Sequence, residues 1–313
     1  MRPYVSVVVP VYNEEDNLRP LFTRLTQVLD GLGRPYEIVF TNDGSVDRSD
    51  EILRALHAER PREVRVIEFN GNFGQHMAII AAFEYVRGDI VVTLDADLQN
   101  PPEDIPRLIA KCEEGYDVVG GYRRDRQDTW FRRNASRLIN LVRARITQIQ
   151  MRDQGCMLRA YKRHIVDNIA TSGEVSTFIP ALAYSLATRP TEIEVEHAPR
   201  AAGQSKYRLY DLIRLNFDLM TGFSLVPLQV FTMLGFVVSL LSGILVLYLA
   251  LQRIFVGPEV QGVFTLFGIM YFLVGLGIFG LGIIGEYVGR IYLEVRKRPR
   301  FVVREVLQRL DDD

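Results

Sequence analysis

The stretch Ile90-Val91-Val92-Thr93-Leu94, followed directly by Asp95-Ala96-Asp97-Leu98-Gln99, decides the fold of this chain. Its first half is an uninterrupted β-prone run, which predicts a strand buried on both faces, as in parallel sheets. The second half places polar side chains where that strand ends. The same order occurs at Val5–Val9 before Tyr12-Asn13-Glu14, and at Tyr36–Phe40 before Asn42-Asp43. Because parallel α/β sheets bind ligands beyond the carboxyl ends of their strands, these polar groups predict a binding site.

Helical patterns alternate with the strands between residues 5 and 121. Helices are predicted at about 14–29, 48–59, 75–86 and 102–114, and further strands at 64–69 and 117–121. This alternation predicts an α/β domain with a Rossmann-like, mainly parallel sheet that carries helices on both faces.

Composition and missing motifs exclude several classes of protein. The chain has 37 basic and 38 acidic residues, a balance that excludes binding of nucleic acid through bulk charge. No G-x-G-x-x-G follows the first strand and no Walker A lysine loop occurs, which argues against a dinucleotide dehydrogenase and a P-loop NTPase. Cys112 and Cys156 are the two cysteines, too few for a disulfide framework or a zinc site and typical of a reducing cytosol.

An uneven distribution of charge predicts a membrane segment. Residues 219–285 contain only two charged side chains, Arg253 and Glu259. Within them, residues 230–251 and 263–284 are uncharged and mostly apolar, and a helix of that length spans about 33 Å, enough for the hydrocarbon core of a bilayer. Two buried core helices are the alternative, and the length and uniformity of both runs argue against it.

The flanking charges predict the orientation of these two spans. Arg208 and Arg214 precede the first span, and basic residues at 290, 296, 297, 298 and 300 follow the second, whereas the link carries only Arg253. By the positive-inside rule, the large N-terminal domain and the C-terminus lie in the cytoplasm.

The carboxylates after the fourth strand carry the predicted chemistry. Asp95 and Asp97 stand two residues apart at a strand end and can converge on one hard cation, with the Gln99 oxygen as a further ligand. Mg²⁺ or Mn²⁺ suits oxygen ligands and shares its shell with a diphosphate, whose charge it neutralises. A solvated turn is the alternative, because Asp-x-Asp by itself is common.

The chain resembles the family 2 glycosyltransferases of the GT-A fold, and among them the polyprenyl-phosphate glycosyltransferases. The resemblance rests on Val5–Glu15 (VSVVVPVYNEE), Asn42–Ser45 (NDGS), Asp95–Gln99 (DADLQ), Arg200–Lys206 (RAAGQSK) and the two-span tail. One position departs from the family. The turn after the second strand usually reads Asp-Asp-Gly-Ser, and Asn42 keeps the hydrogen-bonding oxygen of the first aspartate without its charge.

This resemblance implies the organisation of the whole chain. It implies a cytoplasmic GT-A domain at 1–206, a juxtamembrane interfacial helix at 207–229, a hairpin of two transmembrane helices at 230–285 and a cytoplasmic tail at 286–313. The implied location is a bacterial inner membrane, and the implied assembly is a homo-oligomer, a tetramer in the family.

On the donor side, the resemblance implies a role for each matching residue. Positions that bind the nucleotide are matched by Pro10, Tyr12, Glu14, Asp43, Asp95 and Ala96. Positions of the metal and diphosphate site are matched by Asp95, Asp97 and Gln99, with Asp97 counted as catalytic. Arg200 and Lys206 match a basic pair that closes a loop over the diphosphate, and a solvated basic loop is the alternative.

On the acceptor side, residues 129–152 contain six arginines and no acidic residue, with apolar residues at helical spacing between them. A basic amphipathic helix beside a membrane attracts anionic headgroups, although a helix with a solvated arginine face gives the same pattern. The resemblance implies that Arg123, Arg132 and Ser136 hold the lipid phosphate. It also implies that Asp153 either acts as a general base or positions the acceptor.

The implied reaction is an inverting transfer from a UDP-sugar to undecaprenyl phosphate, for modification of lipid A or another envelope glycan. The resemblance favours 4-deoxy-4-formamido-L-arabinose as the sugar, and glucose or mannose remain alternatives. A non-catalytic nucleotide-binding membrane subunit is the second class of function. His76 is equally compatible with a donor contact and a structural role, and Cys156 is expected to be a buried hydrophobe rather than a nucleophile.

Overall fold

A computed structural model describes residues 2–123, 151–153, 155–172, 178–196, 225–255, 257, 263–296 and 299–309. The strands are β1 (Val5–Val11), β2 (Tyr36–Asn42), β3 (Val64–Phe69), β4 (Ile90–Thr93), β5 (Val118–Arg123), β6 (Arg159–Lys162), β7 (Pro190–Val195) and β8 (Val303–Leu307). The helices are α1 (Glu15–Gly31), α2 (Ser49–Glu59), α3 (Gln75–Tyr85), α4 (Ile105–Glu113), α5 (Arg163–Thr171), α6 (Ile179–Leu186), α7 (Val226–Phe255) and α8 (Val263–Arg296). These elements fall into two compact units, the sheet with its helices and the pair α7 and α8.

The strands form one mixed sheet in the order β7-β5-β6-β4-β1-β2-β3-β8. The pairs β1/β2, β2/β3, β1/β4 and β5/β7 are parallel, whereas β6 and β8 run antiparallel to their neighbours. Every residue of β1, β3 and β4 is buried, as expected where helices cover both faces of a sheet. The predicted α/β fold with a mainly parallel sheet is confirmed.

Helix α1 shows how the sequence builds the core. Leu18, Leu21, Leu25 and Leu29 recur every three or four residues, so they form one buried stripe on the helix. They belong to the same core cluster as the alternate β1 residues Val5, Val7 and Val9. Burying each such side chain contributes roughly 1.5–3 kcal/mol relative to leaving it in water.

The C-terminal segment is part of the sheet. β8 pairs with the edge strand β3 in antiparallel register, from Phe69 opposite Val303 to Val66 opposite Leu307. The sequence predicts a tail at residues 286–313, and the structure places 303–307 in the sheet. The chain therefore returns to the N-terminal domain after α8.

Helices α7 and α8 are long enough and apolar enough to cross a membrane. The window Leu228–Leu245 has a mean hydropathy of 2.1 with 0% of its residues buried, and Ile269–Gly289 has a mean hydropathy of 1.9 with 11% buried. In the described part of the chain, their apolar side chains are therefore largely uncovered by protein, unlike those of core helices. Within this pair, the rings of Phe231 and Phe279 meet edge to face with centroids 6.1 Å apart.

Candidate functional site

The loops after β1 and β2 are hydrogen-bonded to each other and form the first wall of the site. The amide of Asn13, after β1, donates to Ser45 Oγ (3.0 Å), and the amide of Val46, after β2, donates to Asn13 Oδ1 (2.9 Å). Asn13 has a φ of 56°, a conformation that asparagine adopts more readily than most residues. Beside it, Tyr12 is 47% exposed, so its ring is accessible from solvent.

Asn42 closes the turn after β2. It is buried, and its Oδ1 accepts a hydrogen bond from the amide of Ser45 (3.0 Å). This contact requires an oxygen and no charge, so asparagine serves the turn as an aspartate would.

Asp43 connects the same turn to the loop after β3. Its buried carboxylate accepts the amide of Phe73 at Oδ1 (2.7 Å) and the amide of Gly74 at Oδ2 (2.9 Å). Burial raises the pKa of Asp43, and these two amide bonds oppose the rise. At Gly44, which has a φ of 68°, a Cβ atom would lie 2.5 Å from the carbonyl carbon of Gly71. The three loops after β1, β2 and β3 therefore form one interlocked unit.

Asp95 and Asp97 lie beside this unit at the end of β4. The Gln75 side-chain amide donates to Asp95 Oδ1 (2.5 Å), and the Gln99 backbone amide donates to Asp97 Oδ1 (3.1 Å). Burial, together with the charges of Asp97 and Glu14, raises the pKa of Asp95 to about 7, against the opposing effect of Arg123 and the Gln75 hydrogen bond. The predicted site residues Asp97, Glu14 and Arg123 thus all lie within electrostatic reach of Asp95.

This donor set fits a divalent cation that is shared with a ligand. The charges of Asp97 and Glu14 both raise the pKa of Asp95, so a cation bound beside Asp95 and Asp97 would relieve this repulsion. The described residues contain no group of three or more His, Cys, Asp or Glu side chains arranged to hold a metal alone. A Mg²⁺ site does not need three such side chains, because the ion binds through one or two carboxylates and fills its shell with water and phosphate oxygens.

Arg123, which lowers the pKa of Asp95, forms a bidentate ion pair with Asp153. Arg123 Nε lies 2.5 Å from Asp153 Oδ2, and Arg123 Nη2 lies 2.9 Å from Oδ1. The amide of Gly155 also donates to Asp153 Oδ1 (3.0 Å), and Asp153 is 4% exposed. Both carboxylate oxygens therefore already accept hydrogen bonds, an arrangement that favours the positioning role over that of a general base.

Arg159, which the sequence analysis missed, anchors the segment that carries Asp153. It is fully buried at the start of β6, and its guanidinium donates to the carbonyls of Asp153 (2.7 Å) and Cys156 (2.9 Å). Gly120 leaves room for it, since a Cβ atom there would lie 2.8 Å from Arg159 Nη1. No motif marks this residue, because its role depends on neighbours from β5 and from the segment before β6.

His76 and Cys156 are both shielded from water. Burial lowers the pKa of His76 to about 4, and its ring lies edge to face with Phe178 at 5.5 Å. Its Nδ1 is buried and has no hydrogen-bond partner among the described residues. Burial raises the pKa of Cys156 to about 11, which fits the expected buried hydrophobe rather than a thiolate nucleophile.

Two of the remaining predicted site residues lie within the described part of the chain, and four lie outside it. Pro10 lies buried near the end of β1, opposite Thr41 of β2, and Ala96 lies buried between Asp95 and Asp97. Arg132, Ser136, Arg200 and Lys206 lie outside the described residues. Of the predicted interfacial helix, only residues 225–229 are described, and α7 begins there at Val226.

Comparison with known proteins places this geometry in a family. Residues 6–170 match the model of glycosyl transferase family 2. The chain is 51% identical over 306 residues to undecaprenyl-phosphate 4-deoxy-4-formamido-L-arabinose transferase of Serratia proteamaculans (strain 568), covering 97% of this chain and 94% of that protein. It is 50% identical over 308 residues to the protein of the same name from Edwardsiella ictaluri (strain 93-146), with the same coverage.

Among solved structures, the chain is similar to glucosyl-3-phosphoglycerate synthase from Mycobacterium tuberculosis in complex with Mn²⁺, uridine diphosphate and phosphoglyceric acid. The identity is 18% and the TM-score is 0.49, over 70% of this chain and 77% of that one. The family match and the curated relatives support one conclusion about the protein: this chain belongs to glycosyl transferase family 2 and is a glycosyltransferase.

Proposed function

We propose that the protein transfers 4-deoxy-4-formamido-L-arabinose from a UDP-sugar to undecaprenyl phosphate. The observation that carries this proposal is the identity of about half of all residues to transferases of that name, over 97% of the chain. The identity extends beyond the family match, which ends at residue 170, into α7 and α8. A purely nucleotide-binding subunit would not require the intact carboxylate set of Asp95 and Asp97.

The interlocked loops after β1, β2 and β3 would bind the nucleotide. Tyr12 offers an accessible ring to the base, and Asp43 holds the amide of Phe73 in the loop after β3. Asp95 and Asp97, with the Gln99 oxygen, would hold Mg²⁺ or Mn²⁺ against the diphosphate. When bound, that ion neutralises the charge that develops on the departing nucleoside diphosphate.

The chemistry requires little proton transfer. The acceptor is a phosphate monoester with a second pKa near 6, so it is already a nucleophile at neutral pH. Attack at the anomeric carbon forms the new C–O bond while the bond to the diphosphate breaks on the opposite face, which inverts the configuration. The protein aligns the two substrates and stabilises the leaving group.

Arg123 would face the acceptor phosphate with Arg132 and Ser136. Asp153 holds the Arg123 guanidinium from behind, so that its orientation is fixed before the lipid arrives. Arg200 and Lys206 would close over the diphosphate on the donor side.

The location we propose is the cytoplasmic face of a bacterial inner membrane. Two helices of suitable length and hydropathy support it, together with the basic residues that flank them. The return of the chain to β8 adds a topological argument. Since β3 and β8 belong to one sheet, a membrane crossed after β3 must be crossed an even number of times before β8.

A transfer assay tests the sugar and the acceptor together. Membranes that contain the protein would be incubated with undecaprenyl phosphate and, in turn, with radiolabelled UDP-4-deoxy-4-formamido-L-arabinose, UDP-glucose and GDP-mannose. We expect lipid-linked label from the first donor only, and none without added Mg²⁺ or Mn²⁺. Label from glucose or mannose alone would move the protein to a different sugar within the same class of reaction.

A further inference from the structure

The segment after α8 reaches the loop that follows β3. β8 pairs with β3, and at the end of this pairing the amide of Asn70 donates to the carbonyl of Val302 (3.1 Å). Phe301 precedes this contact and stands only five positions after Arg296, the last residue of α8.

Three aromatic rings connect this segment to the donor loop. The ring of Phe301 stacks on Phe69 with centroids 5.2 Å apart and an interplanar angle of 12°. The Phe69 ring in turn meets Phe73 edge to face, with centroids 5.5 Å apart and an angle of 88°. Both geometries are among those that aromatic pairs prefer, so the contacts restrict the position of Phe73.

Phe73 begins the part of the loop that touches two site carboxylates. Its amide and that of Gly74 bind Asp43, and the next side chain, Gln75, binds Asp95. Gly74 has a φ of 94°, which only glycine adopts without strain. The position of Phe73 therefore sets where the amides of this loop meet Asp43.

The rest of β8 is held independently of Phe301. Arg304 Nη2 lies 2.5 Å from Oε2 of Glu68, which is 1% exposed, and Arg54 Nη2 lies 2.8 Å from Glu305 Oε2. These ion pairs and the antiparallel ladder keep the strand docked when the Phe301 ring is removed. The ring's effect on the loop can therefore be separated from the docking of β8.

We propose that Phe301 is a positioning residue of the donor site, which acts through Phe69 and Phe73 on the contact between Asp43 and the 73–74 amides. The proposal rests on the proposed function in one respect, since it takes the loops after β2 and β3 as the nucleotide site. It assigns to the segment that follows the second apolar helix a part in binding the donor.

The test compares UDP binding by the full-length protein and three variants, measured by calorimetry in detergent with Mn²⁺. Phe301→Ala should weaken UDP binding about fivefold to tenfold, because it removes the stacking contact that positions the loop. Phe301→Tyr keeps the ring and should restore the affinity. The matched control is Leu307→Ala, at the far end of β8, which should lower the thermal midpoint and leave the UDP affinity unchanged.

Hydrogen exchange distinguishes a local effect on the loop after β3 from a general loss of stability. In Phe301→Ala, a peptide spanning 70–76 should exchange faster, whereas exchange in β1 should match the parent protein. In steady-state assays, the KM for the UDP-sugar should rise, with the KM for undecaprenyl phosphate and kcat unchanged.

The outcomes separate the two proposals. If the parent protein binds UDP and Phe301→Ala binds it equally well, the role of Phe301 is refuted and the proposed function stands. The role is also refuted if Leu307→Ala weakens UDP binding as much as Phe301→Ala does. If the parent protein binds no UDP, the proposed donor site fails, and the role of Phe301 fails with it.

Discussion

At the scale of single residues, the ion pair between Arg123 and Asp153 indicates the role of Asp153 on the acceptor side. Arg123 is tied through two hydrogen bonds to a carboxylate that is itself buried. A carboxylate bound in this way is better suited to orienting its partner than to transferring a proton.

A double-mutant cycle tests this interpretation. Because Asp153 acts through Arg123, the variant with both Arg123→Ala and Asp153→Ala should lose no more activity than the worse single variant. The measured coupling should be at least about 1 kcal/mol, as expected of residues in direct contact. Additive losses in kcat would instead support an independent role for Asp153 as a general base.

Arg132 yields a prediction for the lipid phosphate. Its guanidinium can make two hydrogen bonds to a phosphate, and lysine does not reproduce that geometry. Arg132→Ala should raise the KM for undecaprenyl phosphate roughly thirtyfold, the equivalent of about 2 kcal/mol. Arg132→Lys should recover part of this loss. Steady-state kinetics in which each substrate is varied would assign Arg132 to the diphosphate site if the donor KM rises instead.

Substitutions of Asn42 test the one position at which the turn after β2 departs from the family's usual sequence. Asn42→Asp keeps the oxygen that accepts from Ser45, so the KM for the UDP-sugar should stay within about threefold of the parent value. Asn42→Ala leaves the part-buried amide of Ser45 without its partner, which costs up to about 1 kcal/mol of stability. Thermal unfolding and donor kinetics of both variants check this. A large loss of activity in Asn42→Asp would show that the absence of charge matters at this position.

At the scale of elements, the sequence predicts the first five strands well and the last three poorly. β1 and β4 contain no charged residue, and their burial on both faces removes the need for polar alternation. β2 and β3 keep β-prone residues at most positions despite Glu37, Arg65 and Glu68. β6 has four residues, and β8 contains Arg304 and Glu305 in its centre. In the sequence, these charges are typical of a solvated tail. Their partners Glu68 and Arg54 come close to them only in the folded chain. The role of Phe301 cannot be predicted from the sequence for the same reason, because its partner Phe69 is distant in the chain.

The buried carboxyl of Glu68 in β3 predicts a dependence of stability on pH. Burial, together with the neighbouring Asp50, raises the pKa of Glu68 from an ordinary value of 4.5 to about 7, while Arg54 and Arg304 oppose the rise. The folded state therefore holds this proton more tightly than the unfolded state does. The resulting stabilisation is complete below about pH 4.5 and is lost as the pH rises through about 7.

Glu68→Gln should remove this contribution, because glutamine does not titrate. The variant's thermal midpoint should fall less between pH 5 and pH 7.5 than that of the parent protein, when both are measured in the same detergent. The matched control is Glu113→Gln, which changes a more exposed carboxylate on α4. Equal pH dependence in the parent and in Glu68→Gln would contradict the assignment.

At the scale of the whole molecule, the two apolar helices stand in the sequence between β7 and β8, which belong to one sheet. This order predicts that both ends of the helix pair emerge on the side of the catalytic domain. A reporter fused after Gly257 should therefore register as periplasmic, and one fused after Asp313 as cytoplasmic. The same compartment for both reporters would overturn the hairpin.

The central claim is that the carboxylates at the end of β4 drive sugar transfer to undecaprenyl phosphate. The most direct measurement is mass spectrometry of the lipid product and of released UDP. The purified full-length protein, Asp97→Ala and the control Asp89→Ala, which alters a half-exposed aspartate before β4, are each given UDP-4-deoxy-4-formamido-L-arabinose, undecaprenyl phosphate and Mn²⁺. We predict one lipid-linked sugar per UDP released by the parent protein and by Asp89→Ala, and none by a folded Asp97→Ala. Product formation by Asp97→Ala at the parent rate would contradict the account.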